Sequence, residues 1–121
     1  MPSLLCLVLD HGPYGSINPA EAIRHAMGAL GKGWGAVLAF MGDSVYTLLP
    51  GQSPLAGEWL SLSEAVAGFV EAGDGRGRVL ADRPSLESRG LVGADLIPGA
   101  RLASREEIAN ATVECDRVLV F

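Results

Sequence analysis

Three short groups of residues carry the side chains with chemical potential: Asp10, His11, Tyr14 and Ser16; then Asp43 and Ser44; then Asp82 and Arg83. An imidazole among carboxylates can move protons near neutral pH. Asp82, His11 and Asp43 are therefore the candidate catalytic acid–base groups. Tyr14, Gly15, Ser16, Ser44 and Arg83 are the candidate binding residues, because hydroxyls, bare backbone and a guanidinium suit a small polar ligand. The loop Gly12–Ser16 precedes a helix start, where free N–H groups can receive an anion. It fits neither G-x-G-x-x-G nor the phosphate-binding Walker pattern. The same residue types also cap helices and shape turns without any chemistry. For His11 the plain alternative is packing on Pro13 or Tyr14, and His25 falls on the polar side of its helix, where solvation is expected.

No metal site is expected from two histidines and two cysteines that lack ligand spacing, and no cofactor is implied. Cys6 lies inside an apolar run and reads as a small buried hydrophobe. Cys115 precedes the last strand, away from the three polar groups. Its neighbours Glu114 and Asp116 would raise its pKa and blunt its reactivity.

The elements that must position these residues alternate along the chain. Leu4–Leu9 and Ala36–Met41 are continuous apolar runs, the pattern of strands buried on both faces. Between them Asn18 offers a helix N-cap, Pro19 a first helical position and Glu21 a capping partner. Ile23, Met27 and Leu30 follow at helical spacing, with Ala22, Ala26 and Ala29 beside them. Val45–Leu49 fits either a helical turn or a third strand. Ser61 and Glu64 make a capping box for a helix with Leu62, Val66, Phe69 and Val70 inward, stopped at Gly73. Arg78–Ala81 is a strand that runs into Asp82 and Arg83; Pro84 then opens a helical turn and Gly90 closes it. Asp95–Leu102 suggests an interrupted edge strand, Ser104 and Glu107 a second capping box for a helix to about Thr112, and Asp116–Phe121 a final strand. This alternation predicts a single α/β domain over 1–121, a three-layer α/β/α sandwich with a mainly parallel sheet of about five strands. Parallel strands return to one edge, so the three polar groups should share it.

Composition excludes some functions. The chain has 121 residues, 49% hydrophobic and 19% charged, enough for one packed core. Nine basic and fourteen acidic side chains give a net charge of -5, which argues against direct nucleic-acid binding and against a membrane-surface role. No stretch is long enough to span a bilayer, and Leu4–Leu9 is too short for a signal h-region. The cysteines suggest no disulfide framework, and a cytoplasmic location is expected.

Several stretches, taken in order, resemble the DsrE/DsrF/TusC group of small sulfur-relay proteins, closest to its DsrF/TusC branch. They are Pro13-Tyr14-Gly15, Glu21-Ala22, Asp43 to Leu48 with Pro50-Gly51-Gln52, Asp82 to Leu91, and Val118 to Phe121. The resemblance implies an α/β/α domain and assembly as homo- or hetero-oligomers, trimers or hexamers, with DsrE- and DsrH-like siblings. It implies persulfide transfer between proteins, in sulfur oxidation or transfer-RNA thiolation. In the sulfur-carrying branch a cysteine follows the third strand; that position is Asp82 here. A second-strand cysteine of the group falls near Ala36. The resemblance therefore implies a partner subunit that is not itself catalytic. The alternative is a small enzyme or binding protein that uses His11, Asp43 and Asp82.

Overall fold

The two uninterrupted apolar runs set the centre of the molecule. In the computed structural model, which describes residues 3–13, 17–52 and 61–121, β1 (Leu4–Leu9) and β2 (Gly35–Phe40) pair in parallel from Leu4 opposite Gly35 to Leu9 opposite Phe40. Every residue of β2 is buried, as a strand covered on both faces must be. β3 (Gly77–Asp82) lies beside β2, and the short β4 (Ala100–Ala103) forms the edge beyond it. β5 (Arg117–Val120) joins the other side of β1. The order is β4-β3-β2-β1-β5 with all neighbours parallel, the α/β sheet expected from the chain's alternation.

The helices cover the two faces unequally. α1 (Asn18–Gly31) and α2 (Leu62–Gly73) press Ala22, Ile23, Ala26, Leu30, Val66 and Phe69 onto Leu5, Leu7, Leu9, Leu38, Phe40 and Val79. On the other face α4 (Arg105–Glu114) places Ile108 and Ala111 on Cys6, Val37, Ala39, Leu80 and Ala103. A six-residue α3 (Arg83–Ser88) follows β3 directly. β5 keeps all four residues exposed.

Several boundaries differ from the sequence reading. Asn18 already lies inside α1; Ile17 is the N-cap and makes no side-chain capping bond, while Pro19 keeps its place in the first turn. Of the two alternatives for Val45–Leu49, the helical turn is the one present: Gly42–Leu48 is a 3-10 helix entered through Gly42 at φ +57°. Its three-residue repeat puts Val45 and Leu48 on one fully buried line. Gly73 remains helical, and Asp74 takes the left-handed cap at φ +44°. The Ser104–Glu107 box forms in both directions, and α4 runs to Glu114.

Candidate functional site

The strand order places the carboxyl ends of β1, β2 and β3 side by side, so Asp10 and His11, Asp43 and Ser44, and Asp82 and Arg83 share one edge. That edge is held by side chains that bridge one strand exit to the next. Ser44 is fully buried, and its hydroxyl lies 2.8 Å from the Leu9 carbonyl and 2.7 Å from that of Met41, tying the β1 exit to the β2 exit. Gly42 N–H donates to Ser85 Oγ at 2.8 Å, tying the β2 exit to α3. The Ser85 hydroxyl in turn donates to Asp82 Oδ2, which also accepts from Ser85 N–H at 3.1 Å and from Arg105 Nε at 3.3 Å. β3, α3 and the start of α4 therefore meet on one carboxylate oxygen.

Asp82 is 0% exposed and serves as the N-cap of α3. The helix it opens ends in a Schellman motif: Leu91 N–H donates to the Leu86 carbonyl at 2.8 Å, Gly90 N–H to that of Glu87 at 3.2 Å, and Gly90 is left-handed at φ +69°. The Pro84 and Gly90 punctuation thus frames a real helix, with Asp82 as its cap. Asp82 Oδ1 is buried and has no hydrogen-bond partner among the described residues.

Asp43 stands at the surface of the 3-10 helix. Its Oδ1 accepts from Arg89 Nη2 at 2.8 Å and Nε at 3.1 Å, and the same guanidinium donates to the Ser85 carbonyl and to Ser88 Oγ. With Gly12, Pro13, Tyr46, Leu49 and Gln52, Asp43 lines an open cavity of ≈ 490 Å³. His11 is exposed, and its Nδ1 lies 2.9 Å from Asp10 Oδ1 and 3.4 Å from Asn18 Nδ2. Arg83 is exposed, with no hydrogen bond or ion pair among the described residues. Tyr14, Gly15 and Ser16 lie outside the described residues. No hydrogen bond or ion pair joins His11, Asp43 and Asp82 to one another; they share an edge without forming a contact triad.

Chemically, the edge offers one exposed imidazole beside a carboxylate, one exposed carboxylate held by an arginine, and one buried carboxylate already committed to three donors. The strand order reverses between β1 and β5, and in open sheets the ligand crevice lies at such a reversal. Asp10 and His11 stand there, with Asp10 N–H bonded to the Phe121 carbonyl at 3.1 Å. Ser85, Arg89 and Arg105 complete the bracing; of these, only the helix-capping pattern around Ser85 was visible as a local signal. His25 is not simply solvated: Nδ1 donates to the Glu21 carbonyl at 2.7 Å and the ring tilts against Phe121. It lines a second cavity of ≈ 360 Å³ with Leu5, Gly28, Ala29, Lys32 and Trp34, displaced from the strand exits.

The thiols lie elsewhere. Cys6 is fully buried in β1, and burial, with Cys115 beside it, pushes its thiol up from 9.0 to about 12. Cys115 ends α4, at the edge opposite the strand exits. Its thiol is raised first by burial; Glu114 and Asp116 add to the rise less strongly, while Cys6 and Arg78 oppose it. The flanking acids are therefore a minor cause.

The family model for DsrE/DsrF-like proteins matches residues 4–121. An uncharacterized protein of Methanopyrus kandleri is 30% identical over 118 residues, covering 98% of this chain and 93% of the relative. An uncharacterized protein of Methanocaldococcus jannaschii is 29% identical over 115 residues, 95% of this chain and 96% of the relative. The crystal structure of the ychN protein from E. coli superposes with a TM-score of 0.85 at 25% identity, covering all of both chains.

Proposed function

The chain belongs to the DsrE/DsrF-like family, and on that premise we propose that it is a DsrF/TusC-like partner subunit of a sulfur-relay assembly, not the subunit that holds the sulfur. The observation that carries this reading is the state of Asp82. At the position where the resemblance expects the carrier thiol stands a carboxylate, buried and bonded to Ser85 and Arg105. A carboxylate cannot hold a persulfide, and here it anchors a helix. Neither cysteine reaches the strand-exit edge: Cys6 is enclosed in mid-strand, and Cys115 is at the far edge.

A partner subunit needs a surface for its neighbours. β5 supplies one, with Val118, Leu119 and Val120 exposed at 42%, 39% and 72%. Phe121 turns its N–H and carbonyl to β1, so by strand alternation Val118 and Val120 present theirs outward. Turned about a two-fold axis at Leu119, a second copy sets Val118 against Val120 and Arg117 against Phe121, with no like charges opposed. The reading is tested by purifying the chain together with thiol-bearing DsrE-like siblings. Co-elution as one assembly, with persulfide on the sibling alone, supports it; separate elution with each sibling tried contradicts it.

A second reading is favoured by the Asp10–His11 pair at the reversal of strand order: binding of a small polar molecule at that edge. There, His11→Ala abolishes binding of any such ligand without changing assembly.

A further inference from the structure

Cys6 and Cys115 come from opposite ends of the chain, yet the fold sets them side by side. Cys6 lies on the sheet face that α4 covers, fully buried. Cys115 is the half-buried residue at which α4 stops, packed against the same cluster. Asp116, the next residue after Cys115, is bonded to the start of β1: its N–H donates to the Leu4 carbonyl at 2.8 Å, and Leu4 N–H donates to its Oδ2 at 2.7 Å. This holds Cys115 beside the strand that carries Cys6, and each thiol shifts the ionisation of the other. Across the sheet Cys6 stands opposite Val37, and Val37 opposite Arg78; the Arg78 guanidinium favours the thiolate form of both cysteines. Neither thiol takes part in the bracing of the strand-exit edge. A thiol closed to solvent and set against one half-exposed thiol has a single partner for covalent chemistry.

We propose that Cys6 and Cys115 form an intramolecular disulfide when the protein meets a low-molecular-weight disulfide. Cys115 is the entry point. Its thiolate attacks one sulfur of the oxidant, which forms a mixed disulfide and releases one small thiolate. Cys6 then gives its proton to solvent base and attacks the Cys115 sulfur. The Cys6–Cys115 bond forms, the mixed bond breaks, and the second small thiolate leaves. Two protein thiols are oxidised and one small disulfide is reduced to two thiols. Burial holds both thiols largely protonated at neutral pH, so the exchange speeds up as pH rises. The bond fastens β1 to the junction of α4 and β5 and encloses most of the chain in one loop, which restricts the unfolded state. The inference is independent of the relay reading and survives its failure.

The test treats the purified chain with excess oxidised glutathione and reads intact mass, free thiols after denaturation, and Tm. The wild type is expected to lose both thiols, to end two hydrogens lighter with no glutathione attached, and to gain in Tm, all reversed by dithiothreitol. Cys6→Ala is expected to stop at a stable glutathione adduct on Cys115, and Cys115→Ser to keep Cys6 unmodified. A lasting glutathione adduct on the wild type, a disulfide-linked dimer, or two free thiols at the end of the incubation would overturn the proposal.

Discussion

Asp82 is tied to its corner by every donor within reach of one oxygen: the Ser85 amide and hydroxyl, and the Arg105 side chain. Losing an N-cap carboxylate typically costs about 1 kcal/mol, and Asp82→Ala is expected to lower stability by about that much in urea unfolding. Ser85→Ala removes both the bond to Asp82 and the acceptor for Gly42 N–H. The double variant should lose less than the two single losses added, because they share one network. Arg105 is 65% exposed at its side chain but pairs with a carboxylate that is 0% exposed, so Arg105→Ala strips a buried carboxylate of its counter-charge and is expected to destabilise the protein as well. A second residue-scale prediction concerns Cys6. Its thiol rises from 9.0 to about 12 on folding. Between those pH values the unfolded chain has given up this proton and the folded chain has kept it, so stability falls as pH rises. The slope approaches ~1.4 kcal/mol per pH unit for one proton, and below the lower value this group adds no pH dependence. Unfolding of wild type and Cys6→Ala along an alkaline series checks this: the variant's slope should be shallower by up to one proton.

At the scale of elements, much of the chain was readable because the rules involved are local. A strand buried on both faces needs an unbroken apolar run, and Leu4–Leu9 and Ala36–Phe40 have one. The capping box at Ser104 and Glu107 and the Pro84–Gly90 frame are set within a few residues, and the structure contains both. What sequence reading missed depends on distant neighbours. The helical turn at Gly42–Leu48 was one of two open alternatives, because Val45 and Leu48 alone at its period are too few to separate it from a strand. The Asp82–Arg105 and Asp43–Arg89 pairs and the cluster shared by Cys6 and Cys115 join residues far apart in sequence, which no spacing rule connects. Gly99 is another such case: its φ of +91° and the place a Cβ would take, 2.8 Å from Val70 Cγ1, both require glycine. Gly99→Ala is expected to destabilise the protein by more than 1 kcal/mol, roughly the sum of a strained φ and an overpacked contact, measurable as a drop in Tm. For β5, Val120→Lys should leave the fold intact and shift sedimentation toward the monomer, since Val120 is 72% exposed in the single chain. An unchanged oligomer distribution would rule out β5 as the self-association edge.

For the molecule as a whole, the uneven layers tell the same story as the site. Among the described residues, α1 and α2, with Leu86 of α3 and Val45 and Leu48 of the 3-10 helix, shield one face, while a single ten-residue helix rests on the other, and β5 is left open. A fold that matches the ychN protein end to end here carries a carboxylate where the resemblance expects a thiol, together with an apolar edge suited to a neighbour. The most direct test of the central claim is sulfur loading. The purified chain is offered a labelled persulfide donor, freed of donor, and assayed for bound sulfane sulfur by intact mass and cyanolysis. The account predicts no retained sulfur on the wild-type chain; one labelled sulfur per chain, held on Cys6 or Cys115, would contradict it.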